Sequence, residues 1–281
     1  LKKIANKIGF DLPFYTRTGW PELRTPVPFG EMLPLYGDYA DGFWDRSLQP
    51  TVGNYYKAFN FKQFRSSTAI ATEQLGEQRE QKMKDEDRYP YFTCELGGGM
   101  ATAYHRRPFI TTDDTYSMAV VKLGSGSNLL GYYMYHGGTN PDGYLHPLNE
   151  NQRTKATNYN DMPEKNYDFQ APIGEFGQFY PQYFALRKLH LFMQDYGEML
   201  ADMNPSFPAP QDLKKGEDKQ LRWSYRSQGN SAFVFVNNYE RLQNIGDKKN
   251  IRFDVCGVQF PAKPITIPAF TICIFPVNID G

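Results

Sequence analysis

The most constraining feature of the sequence is an alternation of short apolar runs with one helical run of matching size. YPYFTCELGGG (89–99) reads as a strand that breaks into glycine, DDTYSMAVVKLG (113–124) as a helix, and NLLGYYMYHGG (128–138) as a second strand. Strand, helix, strand in that order argues for parallel βα units, because two parallel neighbours need a long crossover between them. Functional residues are then expected where strands end and loops begin, which singles out Glu95, the 136–140 loop and the 168–170 region.

Other segments extend the pattern. Leu1, Ile4, Ala5 and Ile8 share a helical face that Gly9 terminates, and a short strand in DLPFYTRTGW (11–20) follows. The aromatic stretch LPLYGDYADGFWD (33–45) reads as an irregular binding rim. Residues 55–88 read as helical and charged, with EQLGEQREQKMKDEDR (73–88) as a solvated face. Asp113 or Asp114 is placed to cap the central helix. After KNYDFQAP (165–172), Pro181 opens a helix whose face is predicted from Ala185, Leu189, Phe192, Tyr196, Met199 and Met203.

Beyond the PSFPAP turn (205–210) the pattern changes to LRWSYRSQ, SAFVFVNNY, IRFDVCGVQF and ITIPAFTICIFPV, strand-like runs separated by Gly, Asn, Lys and Pro. A small antiparallel β domain over 204–281 is predicted, after an α/β domain over 1–203.

With 281 residues, 40% of them hydrophobic, the chain has material for one large core or two smaller ones. Thirty-one basic residues balance thirty-one acidic ones, so no general field draws in nucleic acid or an anionic membrane. No apolar run reaches the roughly 18 residues of a membrane span. Cys94, Cys256 and Cys273 are odd in number and lack CxxC spacing, and His105 and His136 stand in no HxH or HExxH pattern, so neither a disulfide framework nor a metal is expected, and no cofactor. GGG and HGGTN lack the lysine of a phosphate loop. Aromatic residues make up 16%, a composition that suits both packing and the faces of sugar rings.

On pattern alone Glu95 is a strand-end carboxylate suited to acid, base or nucleophile chemistry, or equally to a structural ion pair. Read in order, however, FYTRTG, YFTCELGGG, YYMYHGGTN and NYDFQAPIGEFG followed by YFALRKLH resemble glycoside hydrolase family 35, the retaining β-galactosidases. The resemblance covers most of residues 1–200. It implies a TIM (β/α)8 barrel of which this chain carries the second half, with FYTRTG, YFTCEL, GYYMYHGG and NYDFQAP as strands five to eight, followed by a small sandwich-like antiparallel domain.

It also implies Glu95 as the nucleophile and Tyr133 as a galactose contact, with a β-galactoside glycan as substrate. Gly97, Gly98 and Gly99 would let the backbone turn sharply beside the sugar. Phe169 stands where the family usually has a sugar-contacting tyrosine, so one hydroxyl is lost from that subsite. Trp20 suits either stacking on a sugar or burial under the aromatic segment. Glu175 is expected to fix the loop into the last helix rather than to act in catalysis.

The family's acid/base glutamate belongs to an Asn-Glu pair ending strand four, which is expected upstream of Leu1; Asn149-Glu150 stands in another context. The chain alone is therefore expected to be inactive, with two open sheet edges inviting the N-terminal half or a second copy. The family resemblance favours a periplasmic or secreted location. Two alternatives follow from the same residues: a galactoside-binding protein without hydrolysis, and a related retaining β-glycosidase with another sugar preference, motivated by Phe169.

Overall fold

The computed structural model describes residues 2–17, 32–45, 47–50, 53–65, 67, 88–145 and 161–279. Trp20, Asn149-Glu150 and nearly all of the charged 73–88 segment lie outside them.

A short helix α1 (Lys2–Lys7) leads into β1 (Tyr15–Arg17), followed by β2 (Leu33–Asp38), a 3-10 turn at Tyr55–Phe59, and β3 (Tyr91–Gly97). Helix α2 (Thr112–Gly124) crosses to β4 (Ser127–Leu129) and β5 (Tyr132–Tyr133), and β6 (Gly138–Thr139), β7 (Asn166–Tyr167) and α3 (Pro181–Asp202) follow. The parallel sheet runs β1, β2, β3, then β4 and β5 side by side along the far edge of β3. Parallel strands with crossover helices agree with part of a TIM barrel.

Three expectations change here. The segment 33–38 is a buried central strand rather than an irregular rim, and it inserts between FYTRTG and YFTCEL. Its Pro34 and Gly37 weaken the strand signal, while its burial on both faces removes the polar alternation that would mark a half-exposed strand. NYDFQAP is not a parallel strand among the described residues: β7 pairs antiparallel with β6 alone. The run NLLGYY is split at Gly131, where a Cβ would stand 2.3 Å from the Thr93 carbonyl oxygen. The Thr93 hydroxyl bridges the gap through Leu129 O and Gly131 O, each at 3.2 Å.

Helix α2 is buried nearly all round because it is covered on both sides. Its N-cap is Thr111, not an aspartate; the Thr111 hydroxyl accepts from the Asp114 amide at 3.3 Å and the Asp114 carboxylate accepts from the Thr111 amide at 2.8 Å. Along α3 the buried stripe runs through Gln182, Leu186, Leu189 and Leu200, with Tyr196 partly covered, whereas Met199 is 37% exposed.

The C-terminal strands β8 (Asn204–Ser206), β9 (Arg222–Gln228), β10 (Ser231–Asn237), β11 (Lys248–Val255), β12 (Val258–Ile267) and β13 (Ile272–Val277) are antiparallel throughout. A four-stranded sheet in the order β13-β10-β9-β8 carries the hairpin β11–β12 on one face. Alternation along β10 supplies two cores at once. Phe233 and Phe235 join the core that holds α2 and α3, while Ala232, Val234 and Val236 pack with Phe253, Val255 and Ile267 of the hairpin. Each of those two phenylalanines is at most 1% exposed, a burial of about 2–3 kcal/mol apiece.

Buried charges sew the layers together. Lys122 of α2 meets Asp38 at 2.7 Å, and Arg222 meets Glu240 at 2.5 Å. Arg226 of β9 donates to Leu123 O, Ser127 O, Leu200 O and Met203 O and to Asn128 Oδ1, closing the C-termini of both α2 and α3. At the opposite extreme, β1 pairs only with β2 among the described residues, and Ile4, Ile8, Leu12 and Tyr15 are each more than 60% exposed. No helix among the described residues is long and apolar enough to cross a membrane.

Candidate active site at the ends of the parallel strands

Glu95 stands two residues before Gly97, the last residue of β3, in register with Gly37 of β2. A Cβ on residue 37 would stand 2.4 Å from the Glu95 carbonyl oxygen, so glycine there lets β2 close on β3 at the carboxylate. The half-buried Glu95 side chain accepts a hydrogen bond through Oε1 from the Tyr39 hydroxyl at 2.9 Å. Tyr39 is the first residue past β2. On the other flank Gly97 is in register with Tyr133 of β5.

The flanking phenols belong to one aromatic group. Tyr39 meets Tyr133 edge-on with centroids 6.2 Å apart and Trp44 at 5.5 Å. The Tyr133 and Tyr167 hydroxyls are 2.9 Å apart, and Phe169 lies against both rings, at 5.2 and 5.8 Å. Phe169 is only 3% exposed. Its place is beneath Tyr133 and Tyr167 as a wedge. Tyr133 is half-buried.

The glycine triplet has a different reason than a sharp turn, since none of the three has a positive φ. A Cβ on Gly98 would stand 2.4 Å from Met134 O, and one on Gly99 2.3 Å from both Phe169 O and Gln170 O. Gly98 and Gly99 are a contact surface for backbone, and Gly97 makes room for the Tyr39 ring, whose Cδ1 would stand 2.6 Å from a Cβ there. The segments that Gly98 and Gly99 touch carry left-handed residues, Met134 at φ 62°, Phe169 at 58° and Gln170 at 50°, conformations that L side chains adopt at a cost of about 1 kcal/mol each. Gln170 is locked by its own side chain, which donates to Met100 O and Pro108 O and accepts from the Ile110 amide.

The remaining carboxylates nearby are committed to folding the loop into α3. Asp168 accepts from the Glu175 and Gln170 amides, the Gln178 side chain and the Tyr180 hydroxyl. Glu175 accepts from the Thr139 hydroxyl and the Asn166 amide side chain, tying β6 and β7 to that loop as expected. A ring nitrogen of His136 meets its neighbour's carbonyl, Gly137 O, and both ring nitrogens of His105 are buried without a hydrogen-bond partner among the described residues. Among the described residues no cluster of three or more His, Cys, Asp or Glu side chains is placed to hold a metal ion.

Below Tyr39, burial pushes the Asp38 carboxyl up, but the Lys122 and Lys62 charges outweigh it and hold the group below its ordinary range. The Lys122 ammonium is held above its own range, burial opposing and Asp38 prevailing. This pair anchors the residue immediately before Tyr39.

A cleft of about 650 Å³ opens at the other end of the strands, between Arg65, Tyr89, Asn128, Pro205 and Phe207. Among the described residues its lining contains no carboxylate, imidazole or thiol, the groups that the chemistry of a strand-end site requires.

Sequence reasoning marked Glu95 and Tyr133 but missed Tyr39 and Trp44. Their signal lay in YGDYADGFW, whose aromatic residues follow directly on a strand end once 33–38 is recognised as a strand. The family model for Glycosyl hydrolases family 35 matches residues 37–193, a stretch that holds Tyr39, Glu95, Tyr133, Tyr167 and Phe169. The match takes in more than half the chain, and the protein belongs to glycoside hydrolase family 35, a family of retaining glycoside hydrolases.

Proposed function

We propose that the chain is the C-terminal part of an exo-acting β-galactosidase and that Glu95 is its nucleophile. The observation that carries this reading is the half-buried Glu95 carboxylate at the end of a parallel strand, held by a phenol and flanked by a second tyrosine. In a retaining mechanism the carboxylate oxygen attacks the anomeric carbon as the glycosidic bond breaks, and a second carboxyl group about 5–5.5 Å away protonates the departing oxygen. That group then takes a proton from water, which cleaves the glycosyl ester and returns Glu95 as a carboxylate.

By the family resemblance the acid/base is assigned to an Asn-Glu pair ending strand four, upstream of Leu1, while Asp168 and Glu175 hold the loop into α3. With FYTRTG as the fifth strand, the inserted β2 makes LPLYGD the sixth, YFTCEL the seventh and YYMYHGG the eighth. The exposed apolar face of α1 and the outer edge of β1 are where the first four strands and their helices would pack. The 204–281 segment is a second, sandwich-like domain in this reading, with Tyr133 and Tyr167 as the phenols offered to galactose. The expected result in the full-length protein is that Glu95→Gln loses turnover of a nitrophenyl β-galactoside by roughly 10³-fold or more. Retained activity would refute the assignment, and a preference for β-glucosides or β-mannosides would redirect the sugar specificity.

A further inference from the structure

Tyr39 sits between two buried carboxylates, and each is gripped by cations from other parts of the molecule. On one side Asp38 accepts from the Tyr39 amide at 3.1 Å and from Lys122 of α2 at 2.7 Å. On the other, Asp41 accepts from Arg106 Nη2 at 2.8 Å and from Nε and Nη2 of Arg241 at 3.2 and 3.1 Å. Arg241 lies just past β10, in the C-terminal part of the chain, 200 positions from Asp41.

The same guanidinium continues inward. Its Nη1 donates to Asp114 Oδ2 at 2.6 Å and to Phe109 O at 2.8 Å, and the Tyr239 hydroxyl donates to Asp114 Oδ1 at 2.7 Å. Asp41, Asp114, Arg106 and Arg241 are all under a tenth exposed, and two negative charges balance two positive ones. One fork therefore joins the loop after β2, the N-terminus of α2 and the C-terminal sheet.

Any displacement of Asp41 has two short routes to Tyr39. One is the two peptide units between them. The other is Trp44, which with the Tyr55 hydroxyl fills the space a Cβ on Gly42 would occupy, 2.6 Å from Trp44 Cε2, and packs edge-on against the Tyr39 ring. Arg106 Nε holds the Gly42 carbonyl at 3.0 Å, so the turn between Asp41 and Trp44 is clamped from both guanidiniums.

We propose that Arg241 is a positioning residue for the glycosidase reaction: its fork on Asp41 and Asp114 keeps the Tyr39 hydroxyl aimed at Glu95. The C-terminal sheet thereby takes part in catalysis through Tyr39. The inference rests on the reading of Glu95 as nucleophile. It requires the fork and not charge alone, because an ammonium, with three donors on one nitrogen, cannot supply the four hydrogen bonds that the guanidinium makes to Asp41, Asp114 and Phe109 O.

The test is a double-mutant cycle in the full-length protein with Arg241→Lys, Tyr39→Phe and their combination, measured as kcat/KM on a nitrophenyl β-galactoside beside urea unfolding midpoints. Arg241→Lys is expected to lower kcat/KM by about 5- to 20-fold in the wild-type background and by less than about twofold once Tyr39 is Phe. A loss that multiplies in full in both backgrounds overturns the inference, as does a Tyr39→Phe enzyme with wild-type kcat/KM. If Arg241→Lys does not fold, Asp41→Asn enters the same cycle with the same two outcomes. Glu95→Gln separates the two readings: if it stays active, the nucleophile assignment fails; if it is inactive while the cycle is multiplicative, only the role of Arg241 fails.

Discussion

The two ends of β3 use polar groups in opposite ways. At its N-terminal end Arg226, 1% exposed, donates to four backbone carbonyls and one side-chain amide oxygen. It places a positive charge where the dipoles of α2 and α3 are both negative, and among the described residues it meets no carboxylate. Burial pushes its guanidinium pKa down to about 10, which leaves it charged at neutral pH. At the C-terminal end Glu95 is half-buried and met by a phenol, with close-packed glycines in place of side chains. The end that is saturated with hydrogen bonds holds the layers together, and the end with an accessible carboxylate is where chemistry can occur.

The largest effect that probes this division is at the saturated end. Arg226→Met leaves four carbonyls without their donor and is expected to cost about 3–5 kcal/mol in urea unfolding. A fall in kcat without a shift in the unfolding midpoint would break the contrast. At the reactive end the effect reverses: Tyr39→Phe is expected to lower kcat/KM roughly 10- to 100-fold, the worth of a hydrogen bond to a charged group, with little change in stability.

Between the two ends, the Asp38–Lys122 pair predicts a pH signature. Asp38 is held below its ordinary range, so its contribution is present above about pH 4 and lost as the pH falls through its lower folded value. Lys122 is held above its range, so its contribution is present below about pH 10 and lost as the pH rises further. The advantage of wild type over Asp38→Asn/Lys122→Met should therefore shrink as the pH falls from 6 to 3, measured by urea unfolding. The smallest effect is Thr111→Ala, expected to cost about 1 kcal/mol through the α2 capping box without altering kcat/KM.

What the sequence disclosed followed from local periodicity. β3, α2, α3 and the antiparallel strands are legible because apolar spacing of two, three and four residues survives in each. The strand 33–38 was not, because a strand buried on both faces with Pro34 and Gly37 inside it lacks alternation. The α2 cap was misplaced by its two aspartates, one of which serves as the capping-box partner instead. Glu95 and Tyr133 stand in motifs, whereas Tyr39 is joined to Glu95 across 56 positions and Arg241 to Asp41 across 200. Pairings at such separation leave no mark in the spacing of a single sequence. Phe169 was noted for a lost hydroxyl, yet its burial under two tyrosines depends on the left-handed turn at 169–170, which nothing in NYDFQAP announces.

The central claim is that Glu95 forms the covalent bond to the sugar. The full-length protein treated with an activated 2-deoxy-2-fluoro-β-galactoside, whose fluorine slows passage through the oxocarbenium-like transition states, should accumulate the glycosyl-enzyme. After trypsin, mass spectrometry is predicted to find one fluorogalactosyl unit on the peptide 89–106, with fragmentation placing it on Glu95. A fluorogalactosyl unit on any other carboxylate, with the 89–106 peptide unmodified, would contradict the account.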